Sequence, residues 1–216
     1  MSTAALSADD RRVVTSSSDW TVRLWKADNG KQVALCRGHR GVVRSAAFSP
    51  DGQWVVTASA DCTTRMWDCD SGKETYCWRV HDRAVNSAAF SRDGRYVVTA
   101  CRDRTIRIFD VASRDELCVL RHEMAFPGEA SFSPGGRRII APYSDCTARI
   151  WDVGTRSETG VFSGHEGDVW SAKFSPDGRK LVTASQDCTA RVWDVETKKV
   201  LAVLKGHLKC RSLDLI

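Results

Sequence analysis

Apolar residues fall in short runs of about five, cut by clusters of Gly, Pro, Asp and Ser, which is the pattern of antiparallel strands in tight hairpins. The segment from Val169 onward shows it plainly. Val169 to Phe174 leads into a turn at Pro176-Asp177-Gly178, and Lys180 to Ser185 follows. A second turn at Gln186-Asp187-Cys188 precedes Ala190 to Trp193, and Val200 to Leu204 completes the unit. Four strands are predicted. In the third, Thr-x-Arg-x-Trp occupies one face while Val22 and Leu24, and their counterparts, line the other. Bulk on both faces predicts a sheet covered on both sides.

This unit recurs. Trp25, Trp67, Phe109, Trp151 and Trp193 are each separated by 42 positions. The same spacing relates Asp19, Asp61, Asp103, Asp145 and Asp187, then Thr21, Thr63, Thr105, Thr147 and Thr189, and then Arg23, Arg65, Arg107, Arg149 and Arg191. A Phe-Ser-Pro-Asp-Gly motif recurs with variations from Phe48, Phe90, Phe132 and Phe174, with Leu6 in the first copy. A period in the 20–50 residue range marks a repeat architecture, and radial stacking of four-stranded sheets is a propeller.

The Trp-Asp ends at Trp67-Asp68, Trp151-Asp152 and Trp193-Asp194 resemble the WD-repeat signature, as do Gly38-His39, Gly164-His165 and Gly206-His207. The resemblance covers essentially the whole chain. It implies an all-β fold: a WD-repeat β-propeller of five four-stranded antiparallel blades at about 1–37, 38–79, 80–120, 121–163 and 164–206. Residues 207–216 read as an aborted sixth repeat. Because WD propellers usually close with more blades, an incomplete or open ring is expected, with self-association or completion by another chain to cover its ends.

His39, Ser59, Asp61 and Trp67 would meet in one blade, and His165, Ser185, Asp187 and Trp193 in another. Histidine, serine and aspartate within reach invite a hydrolase reading. The resemblance implies a structural one instead: a buried chain from the indole N–H through the serine hydroxyl and the imidazole to the aspartate. No oxyanion hole, Gly-rich phosphate loop or metal-ligand spacing accompanies it, so no catalytic residue, cofactor or metal is expected. The copies differ. The third has Cys101 and Phe109 at the serine and tryptophan positions. The fourth has Tyr143 at the serine position and Pro142 inside a strand, where the missing N–H costs a ladder bond. Blades three and four are therefore expected to be looser than two and five.

The resemblance also places a partner-binding face on the turns bearing the aspartates and on the openings of the innermost strands. By position this implicates Arg44, Ala60, Asn86, Arg102, Phe126, Ser144, Asp168, Trp170 and Gln186. Aromatic and arginine anchors are what interfaces favour, so Trp170 and Phe126 stand out; the plainer alternative has Trp170 packed on the adjacent loop.

Composition narrows the class. The net charge of +5 comes from basic residues spread along the chain, which fits a solvated surface better than a direct nucleic-acid stripe. Nine cysteines without a C-x-x-C pair suggest reduced thiols and an intracellular, cytoplasmic setting. No apolar run is long enough for a membrane span. A non-catalytic scaffold that binds peptides or domains of other proteins is the leading expectation. The alternatives are a ubiquitin-ligase substrate receptor, although no copy carries Trp-Asp-x-Arg, and a component of a ciliary, ribosome-assembly or RNA-processing complex.

Overall fold

The computed structural model describes residues 3–206, and the elements in that span are all strands. They form five four-stranded antiparallel sheets, each in chain order, so every sheet is a simple meander. The first runs through Thr3–Leu6, Arg12–Ser16, Val22–Lys26 and Gln32–Cys36. The fifth runs through Val169–Phe174, Lys180–Ser185, Ala190–Asp194 and Val200–Leu204, in agreement with the sequence pattern. The tail expected at 207–216 lies outside the described residues.

Hairpin chemistry explains the periodic turns. In the second sheet the Ser49 hydroxyl donates to Asp51 and accepts from the Trp54 N–H at 2.9 Å. Gly52 holds φ +69°, a left-handed conformation that glycine adopts without steric cost. The turn after each repeat aspartate makes the same demand on other residues: Trp20, Cys62, Arg104, Cys146 and Cys188 all have φ between +64° and +71°. The recurring cysteines are thus turn residues under mild backbone strain.

The sheets stack face against face, and the core lies between them. Four apolar clusters are found, each drawn from two consecutive sheets. Between the first and second, Val14, Val22, Leu24 and Cys36 meet Val43, Ala46, Val55 and Trp67. Because side chains alternate along a strand, each middle sheet offers one face backward and the other forward. Contacts run from each sheet to the next in the chain, and among the described residues the blades do not close into a ring. The fourth blade departs most from the pattern. Its innermost strand is reduced to Ser131–Phe132, with Pro127 and Tyr143 joined by an isolated bridge.

Candidate functional site

Two features stand out: the polar chain inside the blades, and a hollow lined by the inner strands and turns of the second to fifth blades.

In the second blade the Trp67 indole donates to the Thr57 hydroxyl at 2.9 Å, and Thr57 Oγ1 lies 2.7 Å from His39 Nε2. His39 Nδ1 is 2.8 Å from Asp61 Oδ2. An ionised carboxylate can only accept, so Nδ1 carries the hydrogen that faces Asp61, and in the neutral ring Nε2 then accepts from the Thr57 hydroxyl. Asp61 also accepts from the Arg40 N–H at 2.8 Å and from the Thr63 N–H at 3.0 Å. The fifth blade repeats the arrangement with Trp193, Thr183, His165 and Asp187, at 2.9, 2.7 and 2.7 Å.

The bridging hydroxyl is therefore a threonine, which corrects the expected role of Ser59 and Ser185. Ser59 donates to the Gly41 carbonyl at 3.1 Å and accepts from the Asp61 N–H at 3.1 Å; Ser185 donates to Gly167 at 2.8 Å. Each serine ties the turn to the loop between blades instead of meeting the imidazole. The serine–histidine contact that a hydrolase needs is not formed by these residues.

Burial acts to raise the Asp61 pKa, but hydrogen bonds from His39 and Thr63 outweigh it and hold the carboxyl below the ordinary range. Asp103 behaves likewise through His81 and Thr105, and Asp187 through Thr189 and His165.

The third blade keeps more of this chain than its sequence suggested. His81 is 2.8 Å from both Asp103 and Thr99, and only the indole is lost, because Phe109 has no N–H to place. Cys101 donates to the Arg83 carbonyl at 3.1 Å in place of the serine. His81, Cys101 and Asp103 cluster closely enough to invite a metal reading. Their polar atoms are already committed to one another, to Thr99 and Thr105 and to backbone.

In the fourth blade Ala141 stands at the threonine position and the buried Trp151 indole nitrogen has no partner. His122 is turned so that its Nδ1 accepts from the Ala125 N–H at 2.9 Å. The repeat arginines mostly form pairs within their own blade. Arg107 reaches Glu116 at 2.6 Å and Arg149 reaches Glu158 at 2.8 Å, while Arg65 meets Glu74.

The hollow encloses about 1020 Å³. Eight of the nine residues assigned to the partner face line it: Arg44, Asn86, Arg102, Phe126, Ser144, Asp168, Trp170 and Gln186. Ala60 does not. Sequence reasoning did not single out Arg83, Pro127 or Glu129, which also line it.

The periodic backbone builds the rim. The N–H groups of Ala60, Arg102, Ser144 and Gln186 each bond to a carbonyl in the loop ahead of the inner strand: Val42, Ala84, Phe126 and Asp168, at 2.8 to 3.2 Å. Three inner strands then slip register. Pairing skips from Val43 to Ser45, from Val85 to Ser87 and from Val169 to Ser171, leaving Arg44, Asn86 and Trp170 as bulge residues. A bulge frees a side chain from the ladder and re-aims it. The repeats fix the frame, and the bulges choose what faces the hollow.

Phe126 is exposed and Trp170 half-buried, so of the two aromatics Phe126 is the more open. Arg44 Nε is buried without a partner, and its pKa is lowered by burial and by the nearby Arg102 charge. Glu129 is engaged by Lys173 at 2.7 Å.

The model for the WD domain, G-beta repeat, matches residues 1–26, 30–68, 72–110, 128–152 and 156–194. No curated protein matches the chain. The WD40 family serves in general as a non-catalytic interaction scaffold whose domains bind other proteins. With five matched repeats and five meander sheets stacked in an open arc, this chain belongs to the WD-repeat family of β-propellers.

Proposed function

We propose that this chain is a non-catalytic scaffold that holds an acidic peptide segment of a partner protein in the hollow shared by the second to fifth blades. The observation that carries the reading is the presence of three arginines among its lining residues, with Arg102 near enough to Arg44 to lower its pKa. Arg44, Arg83 and Arg102 have no carboxylate within ion-pair distance among the described residues, whereas Arg65, Arg107 and Arg149 all do. The Arg44 guanidinium is partly desolvated and faces the Arg102 charge, and an anionic ligand relieves that repulsion. Arginine suits carboxylate or phosphate through its planar fork of donors. Phe126 and Trp170 supply an apolar wall for a neighbouring side chain of the same segment. An intracellular partner and a role in assembling a larger complex fit this surface.

The test is affinity capture from a native lysate with the wild-type chain, Trp170→Ala and Arg102→Glu side by side. A defined partner recovered by the wild type and lost by both variants supports the reading, provided both variants melt like the parent. Undiminished recovery by both variants would sink it.

A further inference from the structure

A cavity of about 590 Å³ lies between the fourth and fifth blades and shares no lining residue with the peptide hollow. We infer that it binds a small organic anion carrying a flat ring, the ring seated over Gly160 and the anionic group among Arg138, Arg179 and Lys198. The inference does not rest on the peptide reading.

Gly160 opens the space. It lies inside the strand Ser157–Ser163, where a glycine costs backbone entropy and offers no side chain to pack. Conformation does not ask for it, because its φ lies outside the left-handed region. Close packing does not either: a Cβ there would stand 3.4 Å or more from its nearest neighbours, Phe162, Lys198 and Ile150. Nor does the register slip that follows its pairing with Ile150. The same slip follows Leu24–Ala34, Met66–Tyr76 and Ile108–Cys118, with a side chain at every equivalent position. A strand glycine that neither backbone nor packing requires marks a place where a ligand can approach closely.

The second blade shows what fits. There Tyr76 holds the position of Gly160, its ring centroid 4.9 Å from that of Trp78 and 5.5 Å from the Arg114 guanidinium. At the fourth and fifth blades Phe162 stands for Trp78 and Lys198 for Arg114. Phe162 Cε2 is 3.4 Å and Lys198 Cε 3.5 Å from the Cβ position of Gly160. An aromatic neighbour and a cation are thus in place with no ring between them, and both attract one. Ile150 and Val195, both buried, add apolar surface to the lining.

The rim sets the charge. Arg138, Arg179 and Lys198 have no carboxylate within ion-pair distance among the described residues. Two carboxylates share the lining, and Asp194 is engaged by the N–H and hydroxyl of Thr197, both at 2.7 Å. Three cations against two carboxylates leave the rim basic, and the arginine fork suits carboxylate or phosphate.

The test follows amide NMR resonances of the full chain as phenyl phosphate is added, with inorganic phosphate and phenol as separate probes. Phenyl phosphate should shift the amides of Gly160, Arg179 and Lys198 and bind about tenfold more tightly than either half. Gly160→Tyr, which rebuilds the side chain of the second blade, should weaken that binding about tenfold, as should Lys198→Glu. Gly160→Ala should melt no lower than the parent. If Gly160→Tyr disturbs folding by circular dichroism, Gly160→Cys, the residue of the third blade, replaces it. Phenyl phosphate that shifts none of these amides overturns the inference. So does either half bound as tightly as the whole, undiminished binding by the variants, or a Gly160→Ala chain that melts well below the parent.

Discussion

Replacing Thr57 by valine keeps the β-branched shape of the side chain and removes only its hydroxyl. That hydroxyl is the joint between the Trp67 indole and the His39 imidazole, at 2.9 and 2.7 Å. Thr57 is fully buried and Trp67 nearly so, so no solvent reaches the two groups left behind. A buried donor or acceptor without a partner costs about 1–3 kcal/mol, and two are created, so the loss should be about 2–6 kcal/mol. Against a domain stability of about 5–15 kcal/mol, that is a large fraction. Ser59→Ala is the control, because Ser59 sits two residues along the same strand and contacts only the turn and loop. It should cost about 1 kcal/mol. Urea unfolding gives the overall shift, and hydrogen exchange resolved by blade locates it in the second sheet. The reasoning is refuted if Thr57→Val changes stability by less than about 0.5 kcal/mol, the usual scatter of neutral surface changes, or if Ser59→Ala costs more. The fourth blade already resembles the variant, with Ala141 at this position and an unpartnered Trp151 nitrogen.

Acid should weaken the fold through Asp61, Asp103 and Asp187. Their carboxyls are held below the ordinary aspartate value in the folded chain, so their contribution is complete above that value and lost as pH falls toward the folded ones. The urea midpoint should therefore drop between about pH 5 and pH 2, and Asp61→Asn should flatten part of that drop; a midpoint that rises on acidification contradicts the assignment. Thiol labelling of the native chain should spare Cys36, Cys69 and Cys101, which are buried and whose pKa values burial pushes up to about 12. Of the cysteines in the described residues, Cys62, Cys146 and Cys188, in partly exposed turns, should react ahead of these three by mass spectrometry. Hydrogen exchange should be fastest in the fourth blade, whose inner strand is cut to two residues, while the third should approach the second because it keeps the contacts of His81.

The sequence by itself determined the repeat and everything that depends only on local chain geometry. Five aspartates, five threonines and five aromatics at one spacing required the same hairpins five times over, because turn residues and period-2 alternation act within a few residues of one another. The residues lining the hollow were carried over by position from the family resemblance, and eight of the nine so chosen do line it. Tertiary structure decided which of two hydroxyls on one strand serves the histidine. Thr57 and Ser59 share a face of that strand, and spacing cannot separate them; the loop carrying His39 decides by where it crosses. The bulges that aim Arg44, Asn86 and Trp170 into the hollow were equally hidden, because a register slip is a property of two paired strands and not of either alone. Whether the ends of the arc meet was also beyond local pattern. Val14 and Val182 hold equivalent places in the repeat, and only the neighbouring sheet makes one of them core and leaves the other at the surface.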